Sequence, residues 1–259
     1  MKKILLGILI IMHFECVGQN KEKVANKENH YIDTTKISNQ IKTDYLRTLK
    51  ELKLNTDSSK SYETVKNSIQ QQKTASKELS TDTLSSLFTL SLLNRIIPFW
   101  EDTEWSFEGH TSIPKRGKIA CGYFVSTTLK HAGVNLNRYK LAQQSPINEA
   151  KTLALKTEII KVAENSMAQN ISKIRSSLND GIHFIGFDAS HVGYILKIKG
   201  QLYLIHSNYI DSKGVEIEKI ENSEVFASYS IYYITELSTN KHLLKSWVHE
   251  REIPIITTK

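Results

Sequence analysis

Cys121, His191 and His206 are the residues of this sequence whose types and order suit nucleophilic chemistry. A thiol attacks a carbonyl carbon as its thiolate, so it needs a proton acceptor, and imidazole titrates close enough to neutral pH to serve. Cys121 follows a turn-rich aromatic stretch containing Trp100, Trp105, Phe107, Gly109, Pro114 and Gly117, a composition that suits a loop lining a cleft. It precedes Phe124, Val125, Thr128, Leu129 and Ala132, which fall on one helical face, and Gly133, which suits a helix C-terminus. Cys121 is thus expected at or just before the first turn of a buried helix, where unpaired N–H groups and the positive dipole end favour a thiolate. Those N–H groups could also hold an oxyanion, and Gly122 leaves the backbone open to a substrate. The other reading of Cys121 is a small buried hydrophobe.

The segment from His191 to His206 reads as two β-rich runs separated by Lys199-Gly200. A two-residue turn there pairs positions whose numbers add to 399, placing His206 opposite Gly193 and Asn208 opposite His191. Side chains alternate with period two, so His191, Gly193, His206 and Asn208 share one face and the two imidazoles are diagonal neighbours. That is the relation of a base to the group that orients it, with His191 taking the Cys121 proton and His206 holding the tautomer. Gly193 removes a side chain that would crowd the rings. Asn208 and Asp188 stand in reserve for the orienting role. His110, His131, His183, His242 and His249 read as surface or satisfied histidines, and Gln143-Gln144 as a helix approach before Pro146 rather than an oxyanion amide.

The elements that must position these residues begin with Met1-Lys2-Lys3 and nine apolar residues, Ile4 to Met12. This is an export signal, since a membrane-spanning helix needs roughly 20 apolar residues. Removal near Cys16-Val17-Gly18 assigns residues 1–19 to a signal peptide, lipidation of Cys16 being the rival outcome. Residues 20–81 read as a polar tether and helical extension, with an amphipathic patch from Ile37 to Leu52 and a polar helix from about Tyr62 to Leu79. From Asp82, an expected N-cap, a run of apolar residues to Ile97 predicts a buried helix stopped by Pro98, and the main domain is expected over 82–259. The stretch from Leu141 to Asp180, which holds an amphipathic run at Ile159, Ile160, Ala163 and Met167, is expected to form a cap over the cleft.

Composition sets the outer bounds. With 259 residues, 40% hydrophobic and 24% charged, 11 Gly and 4 Pro, collagen-like and low-complexity classes are excluded. A net charge of +7 suits an anionic polymer without selecting one. Without Cys16 the mature chain holds one cysteine, so no internal disulfide staples it. There is no CxxC, HExxH, GxGxxG or GxxxxGK, so neither a metal centre nor a phosphate loop is legible and no cofactor is expected. Lys197, Lys199 and Lys213 read as solvated hairpin charges, not as a nucleic-acid surface.

Glu101-Asp-Thr-Glu-Trp105, then Ile119-Ala-Cys121-Gly-Tyr-Phe-Val, His191-Val-Gly and Ile205-His206-Ser207 resemble the NlpC-type papain-like cysteine peptidases of bacterial cell walls, over about residues 97–236. The resemblance implies an α+β fold, helices packed on an antiparallel sheet, with Cys121 as nucleophile, His191 as base and His206 as third member. It further implies an exported hydrolase acting on peptidoglycan peptides or a similar peptide through a thioester. The pattern departs from the family's at Ala120 and Gly122, which flank the cysteine where Asp and Ser are usual, and at Trp105, where Tyr is common. These positions bear on substrate choice rather than on the reaction. A catalytically idle envelope binding protein on the same scaffold is the alternative, and no inhibitor or immunity partner is legible.

Overall fold

The period-two alternation of the last third of the chain becomes an antiparallel sheet in a computed structural model that describes residues 59–188 and 190–257. Its strands are β1 (Ile160–Val162), β2 (Gly181–Phe187), β3 (His191–Ile198), β4 (Gln201–Asn208), β5 (Gly214–Lys219) and β6 (Tyr232–Glu236). They lie in the order β1-β6-β2-β3-β4-β5, each antiparallel to its neighbours. Lys199 (φ 48°) and Gly200 (φ 79°) turn β3 into β4. Positive φ at both central residues is the type I′ geometry, whose twist matches the flanking strands. The register is the expected one, Ile198 pairing with Gln201 and Tyr194 with Ile205.

Parity divides the sheet into two apolar faces. Val192, Tyr194 and Leu196 of β3 pack with Phe124, Val125 and Leu129 of the cysteine-bearing helix. Ile195, with Leu202 and Leu204 of β4, packs on the opposite face with Ile171 and Ile174. His191 and His206 have the parity of this second face. Both stand at the same end of the sheet, where β3 starts and β4 finishes, and His191 lines one cavity with Cys121.

The helical layer starts earlier than residue 82. Helix α1 (Tyr62–Thr74) is capped by the Ser61 hydroxyl and ends sooner than Leu79. Its Val65 and Ile69 are buried in the same core as Leu92 and Trp247, so this polar helix contributes to the domain. The described residues all lie in one unit of the chain, 33–259. Helix α2 (Thr81–Thr89) is capped by Ser80, not Asp82, which lies in the first turn where its charge suits the dipole. Pro98 does not stop the run. The helix widens to a π-helix over Leu90–Ile96, with the Ile97 N–H bonded to the Leu92 carbonyl, and resumes as α3 (Ile97–Trp100). Pro98 thus sits in the first positions of a new α-helical segment, where its missing N–H costs least.

Helix α4 (Cys121–His131) packs across β3 and β4. Of the segment expected to cap the cleft, Ala142 and Gln143 line the cavity, while the rest builds onto the sheet. Following α5 (Arg138–Ala142), α6 (Pro146–Ala154) packs on β2 and β6, while residues 159–167 form edge strand β1 and lead into α7 (Met167–Ser177). Lys197 is not simply solvated, since its ammonium donates to the Arg175 carbonyl (2.7 Å) and to that of Leu178. Helices α8 (Glu224–Ala227) and α9 (Lys241–Val248) flank β6 in sequence. No helix among the described residues is long and apolar enough to cross a membrane. The signal segment, Cys16 and the patch from Ile37 to Leu52 lie outside the described residues.

Candidate active site

Cys121 is the first residue of α4, as its sequence context predicts. The N-cap position is Ala120, and no side chain caps the helix, so the first N–H groups remain free to act on the thiol or a ligand. Sγ lies 3.9 Å from the Ser190 carbonyl at the approach to β3. The sulfur is nonetheless not held as a thiolate. Burial pushes the Cys121 thiol up to about 11, against the opposing pull of the Val192, Gly122 and Cys121 amides, and Glu149 adds to the rise. Desolvation therefore outweighs the helix-start effect expected from sequence.

The two histidines meet as the hairpin parity requires. His191 Nε2 lies 2.9 Å from His206 Nδ1, with the rings perpendicular and their centroids 5.1 Å apart. Both rings are buried. Burial, then the neighbouring His206, holds His191 well below the ordinary imidazole range, so its ring is neutral at rest. Engagement of Nε2 leaves Nδ1 as the His191 nitrogen for a substrate or thiol. Gly193 is required between the rings, because a Cβ there would lie 2.8 Å from the Ile205 carbonyl oxygen and 2.9 Å from His206 Cβ.

The reserve residues have other duties. Asn208 donates to Glu216 and accepts from the Ile210 N–H, while Asp188 is exposed in the turn before β3 with φ 38°. Gly122 lines the cleft and has a further, packing duty. A Cβ there would lie 2.8 Å from the Ala142 carbonyl oxygen and 3.3 Å from Glu149 Oε1, so glycine allows α4 and α5 to approach closely, and only its backbone lines the cleft. Among the remaining histidines, His110, His242 and His249 are exposed. His131 bonds to the Tyr62 hydroxyl at 2.9 Å, and His183, fully buried, bonds to the Asn179 carbonyl.

A cavity of about 640 Å³ opens over Cys121 and His191. Trp105 lines it, as expected of the aromatic loop, together with Phe107, which is 80% exposed. No protein-family model matches the chain, and neither do any curated protein or solved structure. The site therefore stands on its own geometry. Tyr209 and Tyr229, which sequence reasoning missed, flank the base: Tyr229 stacks on His191 at 6.5 Å and 15°, and Tyr209 meets it edge-on at 5.4 Å. Tyr209 had a signal, since it directly follows the strand carrying His206 and Asn208. Tyr229 had none, because β6 and α8 bring it there.

A second cluster lies behind His206. Glu216 and Glu218 project from β5, and with His206 they bring three donor atoms within 4.8 Å of one another, a set that could receive a cation and that no sequence motif announces. Each member is already engaged within the protein. Glu218 Oε1 lies 3.1 Å from His206 Nε2, and Asn208 donates to Glu216. Burial works against the Glu218 carboxylate, but hydrogen bonds from His206 and Ser223 outweigh it and hold the group below its ordinary value. His191, His206 and Glu218 form a hydrogen-bonded chain, and Cys121 lines the same cavity as His191.

Proposed function

We propose that the protein is an exported cysteine hydrolase that cleaves amide bonds in peptidoglycan peptides or a similar peptide, on a papain-like scaffold. The observation that carries this reading is the 2.9 Å contact between His191 and His206, with His191 and the helix-start Cys121 opening on one cavity. In the reaction His191 Nδ1 takes the Cys121 proton as sulfur attacks the amide carbon. The C–N bond breaks, His191 returns the proton to the leaving amine, and an acyl-thioester remains. Water, deprotonated by His191, then hydrolyses the thioester to a carboxylate and the free thiol. The uncapped amides at the start of α4 are suited to the oxyanion of both steps.

The neutral resting pair, with the thiol raised and the imidazole lowered, favours a second reading, a catalytically idle envelope protein that binds a glycan or peptide in the aromatic cleft. Digestion of purified peptidoglycan by the mature protein, with mass analysis of fragments, separates the two. The hydrolase releases peptide fragments with new carboxyl termini, and Cys121→Ala releases none. Retention of peptidoglycan without fragments selects the binding protein.

A further inference from the structure

We propose that Glu218 is a positioning residue that keeps the His206 proton on Nε2, making His206 Nδ1 an acceptor and so leaving His191 Nδ1 unprotonated toward the cleft. This rests on the hydrolase reading above and extends it to a residue outside the cavity.

Hydrogen bonds run outward from His191 to His206 and on to Glu218. On the far edge of the fully buried His206 ring, both groups facing Nε2 are carboxylates, Glu218 Oε1 at 3.1 Å and Glu216 Oε1 at 3.8 Å. An ionised carboxylate only accepts, so a His206 ring with one proton carries it on Nε2 and a lone pair on Nδ1. Its neighbour at 2.9 Å, His191 Nε2, must then be the donor. A neutral His191 protonated on Nε2 has its lone pair on Nδ1, the nitrogen a base needs. The opposite tautomer of His206 would donate from Nδ1 to His191 Nε2, place the His191 proton on Nδ1 and block proton uptake from Cys121.

Glu218 has the stronger claim of the two carboxylates. It is the nearer and the less exposed, at 20% against 32%, while Glu216 is held by Asn208. It is also anchored from a second side. Ser223 is fully buried, caps α8 by accepting from the Phe226 N–H at 3.0 Å, and hydrogen-bonds the Glu218 carboxylate with its side chain. The register brings Glu218 there, since β5 pairs Leu204 with Glu218 and His206 with Glu216, putting both carboxylates on the face of His206.

The test is the ring-nitrogen spectrum of the ¹⁵N-labelled full chain near neutral pH, where long-range couplings distinguish Nδ1–H from Nε2–H. Both histidines are expected as Nε2–H in the native protein. Glu218→Ala should give His206 a mixture of tautomers, with the melting transition still cooperative. Glu218→Gln, which keeps the shape without the charge, should fall between, and it decides the matter if Glu218→Ala does not fold. Native His206 protonated on Nδ1, with or without added Zn²⁺, overturns the proposal, as does an unchanged tautomer in both variants. These spectra need no turnover. Absence of peptidoglycan cleavage by a native protein with the expected tautomers would therefore count against the hydrolase reading alone.

Discussion

Glu149 and Glu218 are two partly or fully buried carboxyl groups around one site, yet their pKa values move in opposite directions. Glu149 lies beside the start of α4, 2% exposed, and its Oε2 has no hydrogen-bond partner. Burial raises its pKa well above the ordinary range, toward the protonated form. Glu218, behind His206, meets burial too, but bonds from His206 and Ser223 reverse its effect. Depth alone therefore does not set ionisation; donors do. An anion beside Cys121 would oppose a thiolate, whereas the Glu218 carboxylate faces His206 Nε2 at 3.1 Å.

The largest effect expected on this arrangement comes from the base. His191→Ala should abolish turnover in the peptidoglycan assay, while His206→Ala should lower it strongly and leave a residue, since the imidazole remains but is less often correctly turned. The double variant should be little worse than His191→Ala, because residues acting as a unit are non-additive. Normal turnover in His191→Ala would remove the site assignment.

Next in size is the pH dependence of the thiol. A rise from 9.0 to about 11 lowers the thiolate fraction of Cys121 at neutral pH about a hundredfold. Iodoacetamide labelling of the ligand-free protein should therefore be slower than that of a free cysteine and climb about tenfold per pH unit toward pH 10. A plateau of fast labelling between about pH 5 and 8 would instead show a thiolate–imidazolium pair.

Gly193→Ala tests the packing between the two rings. Its Cβ would meet the Ile205 carbonyl oxygen and His206 Cβ, and the expected loss is about 1–3 kcal/mol in chemical denaturation. An unchanged midpoint would mean that β3 and β4 can separate here at no cost.

The smallest effect sharpens the carboxyl contrast. Because the folded pKa of Glu149 is raised, the stability it contributes is full below its unfolded value of 4.5 and falls as pH rises through the folded value. Melting temperature should drop less for Glu149→Gln than for the native chain between about pH 4 and 8. Parallel curves would show that Glu149 ionises as freely in the folded protein as in the unfolded chain.

What the sequence determined by itself is what short-range backbone geometry governs. Lys199-Gly200 between two β-rich runs specifies a type I′ turn, the turn specifies the register, and the register puts His191, Gly193 and His206 on one face. The apolar spacing after Cys121 likewise placed it at the start of α4. The wider α+β architecture was legible for the same reason, from alternation and helical periodicity. Tertiary structure alone decided the rest. The sequence of α1 is polar, but Val65 and Ile69 suffice to seat it in the core, and the run at 159–167 became a strand edge because β6 was there to pair with it. Gly122 owes its role to Ala142, and the Cys121 thiol its raised pKa to burial by distant segments. Glu218 reaches His206 only through the β4–β5 register. Desolvation and hydrogen bonding depend on which segments converge in space, and neither periodicity nor motif spacing encodes that.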